Sequence, residues 1–336
     1  MNSHPITPQV TGVTNPKGFW CRDLVSSRDL APQETEDVLN LTSLIKARPA
    51  DFRGALAGKQ LVMFFEKPSL RTRLTFESGM ASLGGVSFFV DQTQSRLGAR
   101  ESLSDIAHNL ERWVDVIVLR TFSQLTIEQM AEYAAIPVVN ALSDIEHPCQ
   151  ALADYFTLRE RFGDLRGLKL AYIGDGNNVA NSLLLTGAAL GSSICVASPK
   201  GFEADAQIVA DANEIADSTG ATLELVADPY EAVSGADAVY TDTWVSMGQE
   251  EETAERAQIF APYQVTEDLM AHASSDAVFM HCLPAHRGQE VTDAVIDSSQ
   301  SVVFDQAENR MHVQKAILLS LLGGGVGRFP VRSAHA

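Results

Sequence analysis

The stretch FFEKPSLRTR, residues 64–73, decides how this chain folds. It follows an apolar run, residues 61–65, which predicts a buried strand. Lys67 and Pro68 mark a turn, and Ser69 stands where a helix N-cap is expected. The residues after Ser69 carry apolar side chains at helical spacing. The stretch therefore predicts a strand that leads directly into a helix.

The first turn of this helix is suited to bind an anion. Its backbone N–H groups have no partner within the helix, and the helix dipole places partial positive charge there. Arg71 and Arg73 can add bidentate contacts to a phosphate. The alternative is a solvated basic face with an ordinary serine cap.

Strands and helices alternate along the rest of the chain. Apolar runs predict further strands at residues 86–90, 116–119, 138–140, 168–173, 194–197, 223–226, 238–240 and 277–280. Helical segments lie between them, including residues 102–113 and 308–322. This alternation predicts an α/β protein with two doubly wound domains, each a parallel sheet flanked by helices. The active site is expected in the cleft between the domains, at the carboxyl ends of the strands.

The length of 336 residues agrees with two domains. We expect an N-terminal arm at residues 1–18, a first domain at 19–150 and a second domain at 151–307. The arm is polar, contains prolines and lacks the apolar segment of a signal peptide.

Charge and cysteine content restrict the partners. The formal net charge is -18, which argues against nucleic acid and against an anionic membrane. The 4 cysteines are scattered without a Cys-x-x-Cys pair, as in a reducing compartment. We therefore expect a cytoplasmic protein whose anion site is a local feature.

Four motifs together resemble the aspartate/ornithine transcarbamylase family. They are Ser-x-Arg-Thr-Arg at 69–73, His-Pro-Cys-Gln at 147–150, Asp-Thr-Trp-Val-Ser-Met-Gly at 242–248 and His-Cys-Leu-Pro at 281–284. They follow one another in the family's order and at plausible spacing. One departure is Leu70, where the family more often has threonine, so only a backbone N–H remains there.

The resemblance implies which residues bind carbamoyl phosphate. The phosphate is held at the helix start, and the carbamoyl group meets Arg120, His147 and Arg310. Arg120, His147 and Cys282 are the implied catalytic residues. The full carbamoyl phosphate set is Ser69, Leu70, Arg71, Thr72, Arg96, Arg120, His147, Gln150, Cys282, Leu283 and Arg310. From the residues alone, Arg120 can be a structural arginine and His147 a capping histidine.

The resemblance also implies an ornithine site at Asn178, Asp242, Ser246 and Met247. Asp242 would hold the α-ammonium group, although an acidic surface loop is the alternative. The Gly-x-Gly after the strand at 168–173 could instead begin a dinucleotide site. The acidic ribose-binding residue of such a site is missing after the next strand.

The stretch beginning at His281 offers a second chemistry, a zinc site with Cys282 and His286. Because neighbouring residues on an extended chain point to opposite sides, His281 and Cys282 are not expected to share a metal. A buried structural cysteine is the simpler alternative. In the family the Leu283–Pro284 bond is usually cis, and Arg310 lies at the start of the last helix, which crosses back to the first domain.

The implied reaction is transfer of the carbamoyl group of carbamoyl phosphate to the δ-amine of ornithine, in arginine biosynthesis or, in reverse, arginine breakdown. No metal or organic cofactor is required. The family implies a homotrimer or a multiple of trimers, with the Arg96 loop reaching a neighbouring subunit. Alternatives are another amine acceptor (an N-acylated ornithine, putrescine or aspartate), a nicotinamide-dependent oxidoreductase, and a non-catalytic binding protein.

Overall fold

Two parallel sheets form the centre of the protein, and the computed structural model describes residues 23–93, 96–245 and 253–323. The first sheet consists of β1 (Gln60–Phe65), β2 (Val86–Asp91), β3 (Val116–Arg120) and β4 (Val138–Leu142), in the order β2-β1-β3-β4. The second consists of β5 (Lys169–Ile173), β6 (Ser193–Ala197), β7 (Leu223–Val226), β8 (Ala238–Thr241) and β9 (Val278–Met280), in the order β7-β6-β5-β8-β9. The paired strands are all parallel, so the predicted fold class is confirmed.

Helices flank both sheets. In the described ranges the α-helices are α1 (Pro32–Ala47), α2 (Leu70–Ser82), α3 (Leu103–Leu110), α4 (Gln124–Tyr133), α5 (Pro148–Phe162), α6 (Asn178–Leu190), α7 (Ala206–Thr219), α8 (Pro229–Val233), α9 (Thr253–Phe260), α10 (Glu267–Met270), α11 (Asp293–Ile296) and α12 (Val303–Leu322). Short 3₁₀ turns at Ser27–Asp29, Pro49–Phe52 and Ala261–Tyr263 complete the connections. No helix of the described ranges is long and apolar enough to cross a membrane.

The junction between β1 and α2 has the predicted form. Residues 61–65 are buried, as the continuous apolar run requires for a central parallel strand. Ser69 is the N-cap of α2, and its side chain accepts a hydrogen bond from the Thr72 N–H. A strand end and a helix start therefore meet at the edge of the sheet where ligands bind in α/β folds.

Helix α12 begins at Val303 instead of residue 308. No capping side chain marks this start, so the local sequence carries no signal for it. Arg310 consequently lies within the helix and not at its first turn, which corrects the prediction. The predicted helix at 102–113 is also shorter and ends at Leu110. Helix α12 packs against α1, α2 and α5.

Helix α5 is continuous across the predicted domain boundary between residues 150 and 151. It packs on β4 of the first sheet and on α6 beside the second, and it also contacts α12. The two helices α5 and α12 therefore form a shared buried layer behind the carboxyl ends of the strands.

Candidate active site

A cavity of about 550 Å³ opens where the carboxyl ends of the two sheets meet. Its first wall comes from the start of α2, the end of β3 and the start of α5. Its second wall comes from the loops after β5, β8 and β9. Of the predicted site residues, those that line it are Ser69, Leu70, Arg71, Thr72, Arg120, His147, Asn178, Asp242, Cys282, Leu283 and Arg310.

The first turn of α2 presents a hydroxyl, backbone N–H groups and one guanidinium to the cavity. Ser69 Oγ accepts from the Thr72 N–H at 3.2 Å and donates to Thr72 Oγ1 at 3.0 Å. Arg71 lines the cavity and forms no ion pair within the described part of the chain. Arg73 pairs with Glu77 at 2.9 Å and is not among the residues that line the cavity, so its contact with the anion stays a prediction. Residues two apart on a helix point in different directions.

Two further guanidinium groups, those of Arg120 and Arg310, are buried beside the cavity. Arg120 Nε donates to the carbonyl of Lys67 at 3.1 Å. Burial lowers the pKa of Arg120 to about 9, and the charge of Arg310 lowers it further. Burial lowers the pKa of Arg310 as well. Neither arginine forms an ion pair with a described carboxylate, so both guanidiniums can balance the charge of an anion in the cavity.

Arg310 connects the last helix to the first turn of α2. One terminal nitrogen donates to Thr72 Oγ1 at 2.7 Å, and the other donates to Gln150 Oε1. Gln150 therefore lies behind the guanidinium and is not part of the cavity lining. The contact between Gln150 and carbamoyl phosphate stays a prediction, because an amide oxygen has two lone pairs and Arg310 uses one of them.

His147 is the N-cap of α5, held by a 2.8 Å hydrogen bond from its backbone N–H to Ser182 Oγ. Burial lowers the pKa of His147 well below its ordinary value, and the charges of Arg310 and Arg120 lower it further. The ring is therefore neutral at pH 7 and can donate one N–H. Its Nδ1 has no hydrogen-bond partner in the described residues.

The opposite wall carries an acid next to a thiol. Cys282 Sγ donates to Asp242 Oδ1 at 3.0 Å, and Asn177 Nδ2 donates to Asp242 Oδ2 at 2.9 Å. Burial and the nearby Asp242 raise the pKa of Cys282 well above its ordinary value. The side chain is thus a neutral thiol, since a thiolate next to a carboxylate is strongly disfavoured.

The β5–α6 loop supplies amide groups to this wall. Asn178 lines the cavity and donates to the carbonyl of Ser143 at 2.5 Å. Asn177, which the sequence argument missed, caps α6 and orients Asp242. Its signal was its place directly before a helix start.

Leu283 has a φ of 58°, and the Leu283–Pro284 bond is cis, as predicted. This backbone places Leu283 and Pro284 in the cavity wall next to Cys282.

Besides Gln150, three predicted residues are not among the described residues that line this cavity. Arg96 is absent from its lining, and the Arg96 guanidinium lies 4.8 Å from the ring centroid of Phe122. Ser246 and Met247 lie outside the described residues.

The geometric argument against a shared metal was wrong. The chain leaves β9 at Met280, and one ligand atom each from Asp242, His281 and Cys282 lie within 4.8 Å of one another. Both ring nitrogens of His281 nevertheless have protein partners. Nδ1 accepts from the Leu283 N–H at 2.9 Å, and Nε2 lies 3.2 Å from Glu290 Oε1. His281 is thereby held as a structural residue of the loop.

Lys67, predicted from its place beside Arg71 to belong to a local cationic cluster for an anion, lines the cavity. Its ammonium pairs with Asp144 and lies over the Phe122 ring.

Comparison with known proteins agrees with the motifs. Residues 22–160 match the family model for the aspartate/ornithine carbamoyltransferase carbamoyl-P binding domain, and residues 166–321 match the model for the Asp/Orn binding domain. A curated ornithine carbamoyltransferase of Shewanella oneidensis is 51% identical over 300 residues, covering 89% of this chain and 99% of the relative. One from Pyrococcus horikoshii is 48% identical over 305 residues, covering 90% and 96%.

Solved structures show the same likeness. The ornithine carbamoyltransferase of Pyrococcus furiosus has a TM-score of 0.88 at 47% identity and covers 91% of this chain and 99% of its own. The Thermus thermophilus structure has a TM-score of 0.82 at 44% identity, covering 90% of this chain and 100% of its own.

Proposed function

This chain belongs to the aspartate/ornithine carbamoyltransferase family, and we propose that its cleft carries out the family's chemistry with ornithine as the acceptor. The protein transfers the carbamoyl group of carbamoyl phosphate to the δ-amine of ornithine, which gives citrulline and phosphate. The observation that supports this most is the cavity itself, because buried guanidiniums face an acid and a thiol across one small space.

The phosphate end of the substrate belongs at the start of α2. Ser69, the backbone N–H of Leu70, and Arg71 and Thr72 surround that position. A dianionic phosphate there satisfies the helix N–H groups and balances the positive charge of the arginines. It also leaves with its charge already stabilised, which favours cleavage of the bond to the carbamoyl carbon.

The carbamoyl oxygen becomes anionic when the amine attacks, so donors must be aimed at it. Arg120, His147 and Arg310 are the cavity groups that can donate there. Neutral His147 can donate without adding to the positive charge of the two guanidiniums. We assign Arg120 and His147 catalytic roles on this basis.

Ornithine belongs against the second wall. Asp242 is the carboxylate suited to its α-ammonium, and Asn178 is suited to its carboxylate end. Anchoring these groups directs the δ-amine toward the carbamoyl carbon, which lowers the entropic part of the barrier. Cys282, as a neutral thiol, can contact the uncharged amine. Ser246 and Met247 remain proposed members of this set.

A citrulline-forming assay tests the assignment directly. Purified protein with carbamoyl phosphate is given ornithine, acetylornithine, putrescine or aspartate in parallel. Citrulline from ornithine, with far lower turnover of the other amines, is the expected result. Equal or greater carbamoylation of another amine would contradict the acceptor assignment, and absence of turnover with every amine would contradict the enzyme assignment.

We further propose a cytoplasmic homotrimer, or a multiple of trimers, in which the Arg96 loop meets a neighbouring active site. In its own chain the Arg96 guanidinium lies 4.8 Å from the ring centroid of Phe122, and Arg96 is not among the residues that line the main cavity. One relative that is 48% identical, from Pyrococcus furiosus, is named an anabolic ornithine carbamoyltransferase, which supports a place in arginine biosynthesis.

The Arg96→Ala variant tests the contact between subunits. It should raise the KM for carbamoyl phosphate severalfold while the trimer, measured by light scattering, persists. An unchanged KM would remove Arg96 from the site.

A further inference from the structure

A buried polar chain lies behind the cavity wall, between α5 and α12. At its centre is Asp154, which is fully buried. Asp154 Oδ1 accepts from Gln150 Nε2 and from Gln306 Nε2, each at 2.7 Å. Gln306 is itself fixed, because its Oε1 accepts the backbone N–H of His281 at 3.0 Å. The carboxylate position is therefore determined from both helices.

Asp154 decides which way the Gln150 amide faces. Asp154 Oδ1 accepts from both amides, so the amide nitrogen of Gln150 points toward the carboxyl group. The amide oxygen then faces Arg310 and accepts from its guanidinium. A reversed amide would place donor against donor. Arg310 is thereby held with its other nitrogen 2.7 Å from Thr72 Oγ1, at the phosphate end of the cavity.

A carboxyl group is expensive to keep at this position. Burial raises the pKa of Asp154 to about 7, with opposing contributions from Gln150, Gln306, Tyr240 and Arg310. An apolar side chain would pack between the two helices without this cost. A carboxyl at this position is explained if its hydrogen bonds serve the site.

We propose that Asp154 is a positioning residue for carbamoyl transfer, which orients Arg310 through the amide of Gln150. This inference rests on the proposed function. It assigns no contact with substrate to Asp154. It extends the active site by one residue, Asp154, that a list of cavity-lining side chains omits.

The test compares Asp154→Ala with Thr157→Ala. Thr157 is a matched control, since it is buried on the same helix and also contacts α12, accepting from Asn309 at 3.0 Å. It has no bond to the cavity residues. Asp154→Ala should lower kcat/KM for carbamoyl phosphate by about 10- to 100-fold, because a misplaced positioning group can cost on the order of 10²-fold. Thr157→Ala should stay within about threefold of wild type.

A kinetic split and a rescue separate positioning from general damage. The KM for ornithine should change by less than about threefold in Asp154→Ala, since Asp242 and Asn178 form no hydrogen bonds with Asp154 or Gln150. Asp154→Asn should recover most of the loss, because its oxygen can still accept from Gln150. Equal losses in Asp154→Ala and Thr157→Ala, or no recovery in Asp154→Asn, would overturn the proposal.

Gln150→Leu provides a second test, which does not depend on whether Asp154→Ala folds. It should lose at least as much activity as Asp154→Ala while Asp154 is intact, and the double variant Gln150→Leu/Asp154→Ala should be no worse than Gln150→Leu alone. Full activity in Gln150→Leu, or additive losses in the double variant, would contradict the pathway through Gln150. A wild-type protein that forms no citrulline would instead refute the proposed function and not this inference.

Discussion

At the scale of single residues, the site depends on how burial changes protonation. His147 is neutral because it is buried beside two guanidiniums, while Cys282 keeps its proton because it is buried beside Asp242. Both groups therefore act as neutral polar contacts near pH 7. This arrangement gives a donor for an anionic oxygen and avoids a competing thiolate nucleophile next to the carbamoyl carbon.

The first prediction concerns the neutral donor. His147→Ala should lower kcat by on the order of 10²–10³-fold, because one oxyanion donor is lost. His147→Gln, which keeps an N–H donor, should lose less. The measurement is steady-state citrulline formation, with circular dichroism to check folding. An alanine variant with near-normal turnover would show that His147 does not act on the oxyanion.

The second prediction concerns the pH dependence of stability. The folded pKa of Asp154 is raised to about 7, above its unfolded value. The folded state therefore binds the proton more tightly. The unfolding free energy decreases as the pH rises through the window between the ordinary pKa of 3.8 and the folded pKa of about 7. Asp154→Asn removes that decrease. Its Tm relative to wild type should therefore increase between pH 5 and pH 8.

Differential scanning fluorimetry across this pH range provides the measurement. Thr157→Ala is the control, because it removes no titrating group and its Tm difference should not vary with pH. A difference between Asp154→Asn and wild type that is independent of pH would show that Asp154 does not titrate in this window.

At the scale of elements, the start of α2 combines two tasks in one side chain. Ser69 caps the helix through the Thr72 N–H, and its hydroxyl also lines the phosphate end of the cavity. The extended backbone at Ser69 presents the first-turn N–H groups to the cavity. Stability and ligand binding therefore change together when this residue is altered.

The third prediction separates these two tasks. Ser69→Ala should lower stability by about 0.5–2 kcal/mol, whereas Ser69→Gly should cost only a few tenths, because glycine is a tolerated N-cap. Both variants lack the hydroxyl and should raise the KM for carbamoyl phosphate to a similar extent. Thermal melts and kinetics on the same preparations provide the comparison. Equal melting temperatures in the two variants would contradict the capping role.

At the scale of the whole molecule, the cleft is built by two sheets that share the layer of α5 and α12. The polar cavity lies where the carboxyl ends of both sheets meet, which is the position at which α/β folds bind ligands. The backbone of Gly176 is tightly packed, since a Cβ there would lie 2.2 Å from Ala204 N. Gly176 is thus explained by its close packing against the backbone just before α7.

The fourth prediction distinguishes an anion site from a dinucleotide site. Inorganic phosphate should raise the Tm, since a ligand at 100 times its Kd adds about 2.7 kcal/mol of stability to the folded state. NAD at millimolar concentration should leave the Tm unchanged. Arg71→Ala should abolish most of the phosphate effect. Stabilisation by NAD that exceeds stabilisation by phosphate would favour the oxidoreductase alternative.

The sequence alone determined the strand–turn–helix around residues 61–72 and the parallel α/β class. Apolar runs, caps and turns act between residues close in the chain, so their signal is local. Motif order also led to Arg120, His147, Asp242 and Cys282 as site residues, which the structure brings to one cavity.

Only the tertiary structure decided the orientation and partners of these groups. It turned Arg73 toward Glu77, placed Arg310 within α12 and moved Gln150 behind the guanidinium. It also joined Asp154 to Gln306 across 152 positions of sequence. Such partners are set by helix packing between distant segments, and burial then fixes their charge states, so neither property is written in local sequence.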